Sequence, residues 1–310
     1  MLGFNTNAIH GKASKQDAHN ALRPPIYAGV SFSFDSAEDH EEAFRGNRQS
    51  HMYSRISNPS VEVFESKMKT LENGIGAIAV ASGMAAISNV LIALLKTGDN
   101  LIAANTLFGG TCSLLKNVLS PLGIETRFTD FDDIENIEKL IDANTKVIFF
   151  ETIANPQMKV HDIADIVALA REKGLVVVVD STVTTPYLFS AKKYGVNIVV
   201  HSSSKFISGG ATSIGGVIVD MGNYDWTQLE KLSKYHRYKE WAFIAKLRKE
   251  VYRDLGACLS PHSAFLQDLG LETLSLRMDR CCDNTLEIAK ILEKHKKVRN
   301  VNYPGLPSSR

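Results

Sequence analysis

The residue best suited to covalent chemistry in this sequence is Lys205, in the run His201-Ser202-Ser203-Ser204-Lys205-Phe206-Ile207. That run follows Val196-Asn197-Ile198-Val199-Val200, which reads as a buried strand, and His201 begins the polar turn after it. A lysine buried without a partner is costly to keep charged, and one with a depressed pKa is a nucleophilic amine able to form a Schiff base. Taken alone, one lysine in a serine-rich turn reads more simply as a solvated loop residue, because loop lysines are mostly exposed.

Two further groups bear on the choice. Asp180 ends the apolar run Leu175-Val176-Val177-Val178-Val179, where a carboxylate either starts a turn or holds a ring nitrogen protonated. Ser82-Gly83-Met84 follows Ala77-Ile78-Ala79-Val80 and opens a helical stretch. Glycine there permits close backbone approach, and a helix N-terminus offers free N–H groups to a phosphate. A plain helix cap explains the triplet as well. A strand-end Asp followed one strand later by a strand-end Lys, with a phosphate-friendly turn nearby, points to pyridoxal 5'-phosphate, whose pyridinium nitrogen needs such a carboxylate.

The elements that must position these groups are legible as alternation. Strands are expected at 77–80, 100–104, 125–128, 146–150, 175–179, 196–200 and 214–219. Helices are expected at 85–95, 111–119, 134–141 and 163–173. Such alternation predicts βαβ units and a mostly parallel sheet flanked by helices, an α/β fold, with ligands at the carboxyl ends of the strands. Before it, residues 1–58 read as an irregular N-terminal arm, with Pro24-Pro25 and a short alternating strand at Val30-Ser31-Phe32-Ser33-Phe34. Lacking a core of its own, this arm is expected to lie on another surface, such as a neighbouring subunit. Ser60 is placed to cap a helix over 61–71. Residues 59–255 form the expected cofactor domain, ending in a polar, partly helical connection broken over Gly256–Pro261. Residues 256–310 begin a second domain, with a helix over 285–295 and a strand starting at 298–301.

Composition excludes several classes. The 310 residues carry a net charge of +1, so no field for nucleic acid is implied. The apolar fraction of 44% is ordinary for a globular protein, and no apolar run is long enough to span a bilayer. The N-terminus lacks the regions of a signal peptide, and Cys112, Cys258, Cys281 and Cys282 lack zinc-type spacing. Free thiols, a cytoplasmic location and no metal are expected. No G-x-G-x-x-G follows the first strand, which disfavours a nicotinamide or flavin protein.

The chain resembles the Cys/Met-metabolism family of fold type I pyridoxal-phosphate enzymes. The resemblance rests on Pro24-Pro25-Ile26-Tyr27, Tyr53-Ser54-Arg55-Ile56-Ser57-Asn58-Pro59, Ser82-Gly83-Met84, Asn155-Pro156, Asp180 and Ser202 through Lys205. Asp254 through Pro261 and Gly270 through Met278 look most like the O-acetylhomoserine sulfhydrylase branch. The resemblance implies that Lys205 forms the Schiff base and shuttles protons, and that Asp180 pairs with the pyridine nitrogen. It implies that Gly83 and Met84 N–H groups and the Ser202 and Ser204 hydroxyls hold the phosphate, and that Asn155 sits near the phenolic oxygen. Tyr53 and Arg55 would reach the phosphate in a neighbouring subunit, making a dimer the minimal unit and a tetramer the expected assembly.

The implied reaction is γ-replacement: O-acetylhomoserine plus sulfide (or methanethiol) gives homocysteine (or methionine) plus acetate. Methionine γ-lyase and cystathionine γ-synthase are the alternatives within the family; a catalytically silent homologue that binds only cofactor or subunits is the alternative outside it. Phe108 stands where the family usually places a cofactor-stacking tyrosine; it can stack but has no hydroxyl to protonate a leaving group. An O-acylated substrate is therefore favoured, since acetate leaves without a proton. Ser181 and Gly209-Gly210-Ala211 also depart from the usual pattern. The arginine that binds the substrate carboxylate is expected beyond residue 310, in the C-terminal domain that this chain barely begins.

Overall fold

The computed structural model describes residues 3–11, 21–48 and 50–309. Among them one sheet contains β1 (Gly76–Val80), β2 (Asn100–Ala104), β3 (Glu125–Thr129), β4 (Thr145–Glu151), β5 (Val176–Asp180), β6 (Ile198–His201) and β7 (Gly216–Asp220). Their spatial order is β1-β7-β6-β5-β4-β2-β3. The pairs β2–β3, β2–β4, β4–β5 and β5–β6 are parallel, whereas β7 runs antiparallel to both β6 and β1. Because β7 reverses between them, β1 points the same way as β6. The carboxyl ends of β1, β4, β5 and β6 therefore share one edge of the sheet.

The expected strands lie within two residues of these positions. They were legible because Val147–Phe150, Val176–Val179 and Ile198–Val200 are at most 1% exposed, which requires cover on both faces and so an unbroken apolar run. Each such side chain contributes about 1.5–3 kcal/mol relative to an exposed one.

The helices are α1 (Phe4–His10), α2 (Ala37–Arg45), α3 (Pro59–Glu72), α4 (Gly83–Leu94), α5 (Gly109–Ser113), α6 (Ile134–Glu138) and α7 (Ile163–Glu172), followed by α8 (Thr185–Leu188), α9 (Ala191–Tyr194), α10 (Ala242–Lys246), α11 (Tyr252–Leu255), α12 (Pro261–Glu272) and α13 (Leu274–Glu293). No helix among the described residues is long and apolar enough to cross a membrane.

Several expectations are corrected. The cap of α3 is Asn58, whose side chain accepts the Ser60 N–H, with Pro59 at the first helical position. Ser60 instead donates to the Pro25 carbonyl and accepts the Tyr27 N–H, both at 2.9 Å, which ties the arm to this helix. The arm contains α1 and α2, the latter capped by Ser36 on the Asp39 N–H and closed by a left-handed Gly46. Only Ser31 of the expected arm strand makes a β-bridge, to Tyr53. Part of the arm lies on its own chain: α1 packs on α3 and α12, and Arg23 bonds Glu272 at 2.6 Å.

The helix expected over 111–119 is α5 continued by a π-helical stretch, Leu114–Leu119. Near the other end, α12 was not foreseen, and α13 starts at Leu274 because Leu274 and Met278 bury ahead of the polar stretch that hid its period. Residues 298–301 form no strand.

Candidate active site

Asp180 is the last residue of β5, half-buried at the shared edge. Its Oδ1 accepts the Thr182 N–H at 2.9 Å and the Thr182 hydroxyl at 2.5 Å. Among the described residues no hydrogen bond reaches Oδ2. Burial pushes this carboxyl up from its usual range, opposed by the two Thr182 donors and by the charge of His201. His201 ends β6 with no exposure; its Nδ1 faces the Ser181 carbonyl at 3.1 Å and its Nε2 the Glu72 Oε1 at 2.6 Å. The residue read as the start of a turn is thus a buried link between α3 and the segment after Asp180.

Lys205 follows β6 as foreseen, but it is exposed rather than buried. Its Nζ has no ion pair or hydrogen bond among the described residues. The loop beneath it is held by backbone: its N–H donates to the Ser202 carbonyl at 3.1 Å and its carbonyl accepts the Gly209 N–H at 3.2 Å. Arg277 of α13 adds two clamps, donating to the Phe206 carbonyl at 2.6 Å and the Gly270 carbonyl at 2.7 Å. Gly270 is needed for this approach, since a Cβ there would stand 2.2 Å from the Ile207 carbonyl oxygen. The lysine is therefore rigidly based and free at its tip.

The Ser82 turn lies beside this loop. Ser82 caps α4, its hydroxyl accepting the Ala85 N–H at 3.0 Å, so the cap reading holds. The N–H groups of Gly83 and Met84 open the helix and have no acceptor within it. A Cβ on Gly83 would fall 2.5 Å from the Ser202 Cβ, so this cradle closes only around glycine. The Ser204 hydroxyl is engaged with both the N–H and the carbonyl of Gly215, at 2.9 and 3.1 Å. Among the described residues the Ser202 hydroxyl has no hydrogen bond.

Phe108 and Asn155 come from the turns after β2 and β4. Phe108 is 49% exposed, and its ring leans over Gly110, where an added Cβ would lie 2.8 Å from the ring and 3.4 Å from the Met84 sulfur. Asn155 is exposed and precedes a cis proline. Both backbones are held by Glu151, the last residue of β4: Oε1 accepts the Phe108 N–H at 2.7 Å and Oε2 the Asn155 N–H at 3.1 Å.

Tyr53 and Arg55 are not joined to this cluster by any contact among the described residues. Arg55 stacks on Tyr53 at 5.5 Å and donates to the Arg253 carbonyl at 2.6 Å. A surface cavity of about 250 Å³ lies elsewhere, lined by Arg171, Gly174, Asn197 and Tyr224 at the amino-end side of the sheet, and none of the foreseen site residues lines it.

A free lysine tip, a strand-end carboxyl with one oxygen open, a glycine cradle at a helix N-terminus and an exposed aromatic ring fit a flat, phosphate-bearing heteroaromatic aldehyde. Known proteins agree with that fit. The model of the Cys/Met metabolism PLP-dependent enzymes matches residues 5–310. The chain belongs to this family. Pyridoxal phosphate is accordingly its cofactor. It is 41% identical to the homocysteine/cysteine synthase of Kluyveromyces lactis, covering 98% of this chain and 72% of that one. It is 38% identical to the L-methionine gamma-lyase of Pseudomonas putida, covering 99% and 73%. A crystal structure from Campylobacter jejuni, assigned as an O-acetylhomoserine (thiol)-lyase and holding a pyridoxyl-lysine phosphate, superposes with a TM-score of 0.93 at 34% identity, covering 100% of this chain and 80% of that one.

Sequence reasoning did not single out Thr182, Glu72, Arg277 or Glu151. A signal existed for Glu151: it ends the apolar run 146–150 as Asp180 ends 175–179.

Proposed function

We propose that this PLP-dependent enzyme catalyses γ-replacement on O-acetylhomoserine, joining sulfide or methanethiol to its four-carbon unit with loss of acetate. The observation that carries the reading is the unpaired Lys205 Nζ on a clamped loop after β6, together with the open Oδ2 of Asp180 at the end of the neighbouring strand β5. When bound, the cofactor supplies an electron sink for the substrate's α-carbon. Lys205 would hold its aldehyde carbon and then move the proton at the substrate Cα. Asp180 Oδ2 would hold the proton on the ring nitrogen, an interaction that offsets the burial cost of the carboxylate. Gly83 and Met84 N–H groups with the Ser202 hydroxyl would bind the phosphate; Ser204 would join them only by turning its hydroxyl from the Gly215 carbonyl. Phe108 would stack on the ring, and Asn155 would orient its phenolic oxygen. Tyr53 and Arg55 would act on the site of a second subunit, in a dimer that pairs into a tetramer; their exposure, with no contact to the cluster among the described residues, supports this. The four cysteines, none bridged, support a cytoplasmic location.

The Campylobacter and Kluyveromyces relatives favour replacement chemistry, and the similarity to a methionine lyase keeps γ-elimination as the second reading. Phe108 favours the first, because its ring cannot protonate a thiolate leaving group. The test is product analysis with pyridoxal phosphate, O-acetylhomoserine and sulfide. Homocysteine and acetate, formed only when Lys205 is present, are expected. 2-Oxobutanoate from methionine, without homocysteine, would move the assignment to a lyase.

A further inference from the structure

Two carboxyls stand side by side at the site's floor. Glu151 and Asp180 are register partners on adjacent parallel strands. Glu151 is 7% exposed, and no cation pairs with it among the described residues. Burial, with a smaller push from Asp180, raises its carboxyl to about 7 against the pull of the two N–H groups it accepts. A buried acid without a counter-charge is costly, so its retention asks what a cheaper residue could not do. A glutamine would fill the same space, but it offers only one oxygen. Its NH₂ would face an N–H donor. The demand met here is for two acceptors at once, one toward the Phe108 turn and one toward the Asn155 turn.

We propose that Glu151 is a positioning residue for the cofactor site, fixing the Phe108 ring and the Asn155 amide relative to Asp180 by accepting one backbone N–H from each turn. The inference rests on the reading above that Phe108 and Asn155 touch the cofactor. Phe108 precedes α5 and has no side-chain cap bond, and Asn155 is exposed with no side-chain hydrogen bond among the described residues. The placement of both side chains is therefore decided at the backbone, where Glu151 acts on both. Its position at the end of a strand that is buried from Val147 onward gives it a rigid base. A shift of about 1 Å in such groups can lower turnover by about 100-fold.

The test is Glu151→Gln, which keeps size and shape while replacing one acceptor by a donor. The readouts are the cofactor Kd of the stripped protein by absorbance titration, the circular dichroism band of the bound cofactor, and kcat against KM. Expected are a Kd weakened about 10-fold or more, an altered dichroic band, and a fall in kcat larger than the change in KM. In a Phe108→Ala background the same substitution should change the band by less than it does alone, because the part of its effect that runs through the Phe108 ring is already lost and only the Asn155 part remains. An unchanged Kd and band would overturn the proposal, as would full additivity with Phe108→Ala. Should Glu151→Gln not fold, Glu151→Asp is one methylene shorter and reaches one turn only; partial loss in the same readouts is expected, and no loss overturns. Failure of the native enzyme to make homocysteine would sink the proposed reaction but leave the cofactor readouts, and hence this inference, standing.

Discussion

The strand Val176–Asp180 and the helix Leu274–Glu293 are both rich in apolar residues, and the fold treats them oppositely. Val176–Val179 are at most 1% exposed, whereas Ile288 and Ile291 are 57% and 66% exposed. On that helix Leu274, Met278 and Ala289 are buried, Leu286 is half-buried, and Leu276, Ile288, Ile291 and Leu292 lie at the surface of the single chain. An apolar run in an inner strand has covered neighbours on both faces, so every residue of the run contributes. A helical stripe contributes only where another element meets it. The strand ends sharpen the contrast, because the same fully packed strands finish in Glu151, Asp180 and His201, the residues that form the floor of the site.

The largest measurable difference between core and edge lies at the strand ends. Lys205→Ala should lower turnover by about 10³-fold or more. The urea midpoint of the stripped protein should stay where it is, since the side chain is exposed and its tip has no partner among the described residues. A loss of stability with that substitution would show that the edge is not separable from the core.

Ile148→Ala, in the fully buried part of β4, should cost about 2–5 kcal/mol by the same denaturation. Ile291→Ala should stay within about 0.5 kcal/mol. Equal losses would break the contrast between strand and helix.

A pH effect comes from Asp220 at the end of β7. It has no exposure, and burial pushes it up to about 7. With the native pKa above the unfolded one, the folded state holds the proton more tightly between about pH 4 and 7. Stability from this group is thus complete below pH 4, falls as pH rises toward 7, and levels off above it. The fall is about 1.4 kcal/mol for each pH unit between the unfolded and folded pKa values. Asp220→Asn should lose this fall, so the difference between the wild-type and variant stability curves should carry that slope between about pH 4 and 7. A parallel pair of curves would show that Asp220 titrates normally.

Much of this molecule is legible from local pattern. The inner strands are read from apolar runs because burial on both faces leaves little room for polar alternation, whereas β3, polar and partly exposed at the sheet's edge, is not such a run. The Asp180 and Lys205 positions follow from where those runs stop. The connection over residues 221–255 is not legible in the same way. It mixes 3₁₀ stretches at Trp226–Gln228 and Glu230–Trp241 with the short helices α10 and α11 and a π-helical stretch at Leu247–Val251, so its period changes several times within the segment. The helix Ala37–Arg45 escaped notice although Ser36, the acids Glu38 and Asp39, and Gly46 together spell its two ends.

By itself the sequence determined the order of strands and helices, and which residue types stand at the strand ends, because those depend on neighbours along the chain. Which ends share an edge was decided only in three dimensions. The antiparallel β7 turns β1 into the same direction as β6, and this brings the Gly83 cradle against Ser202. Tertiary structure also decided that Lys205 is exposed while His201, four residues before it, is sealed between Glu72 and Ser181. Burial is a property of what packs across from a residue, and elements far apart in the chain supply it.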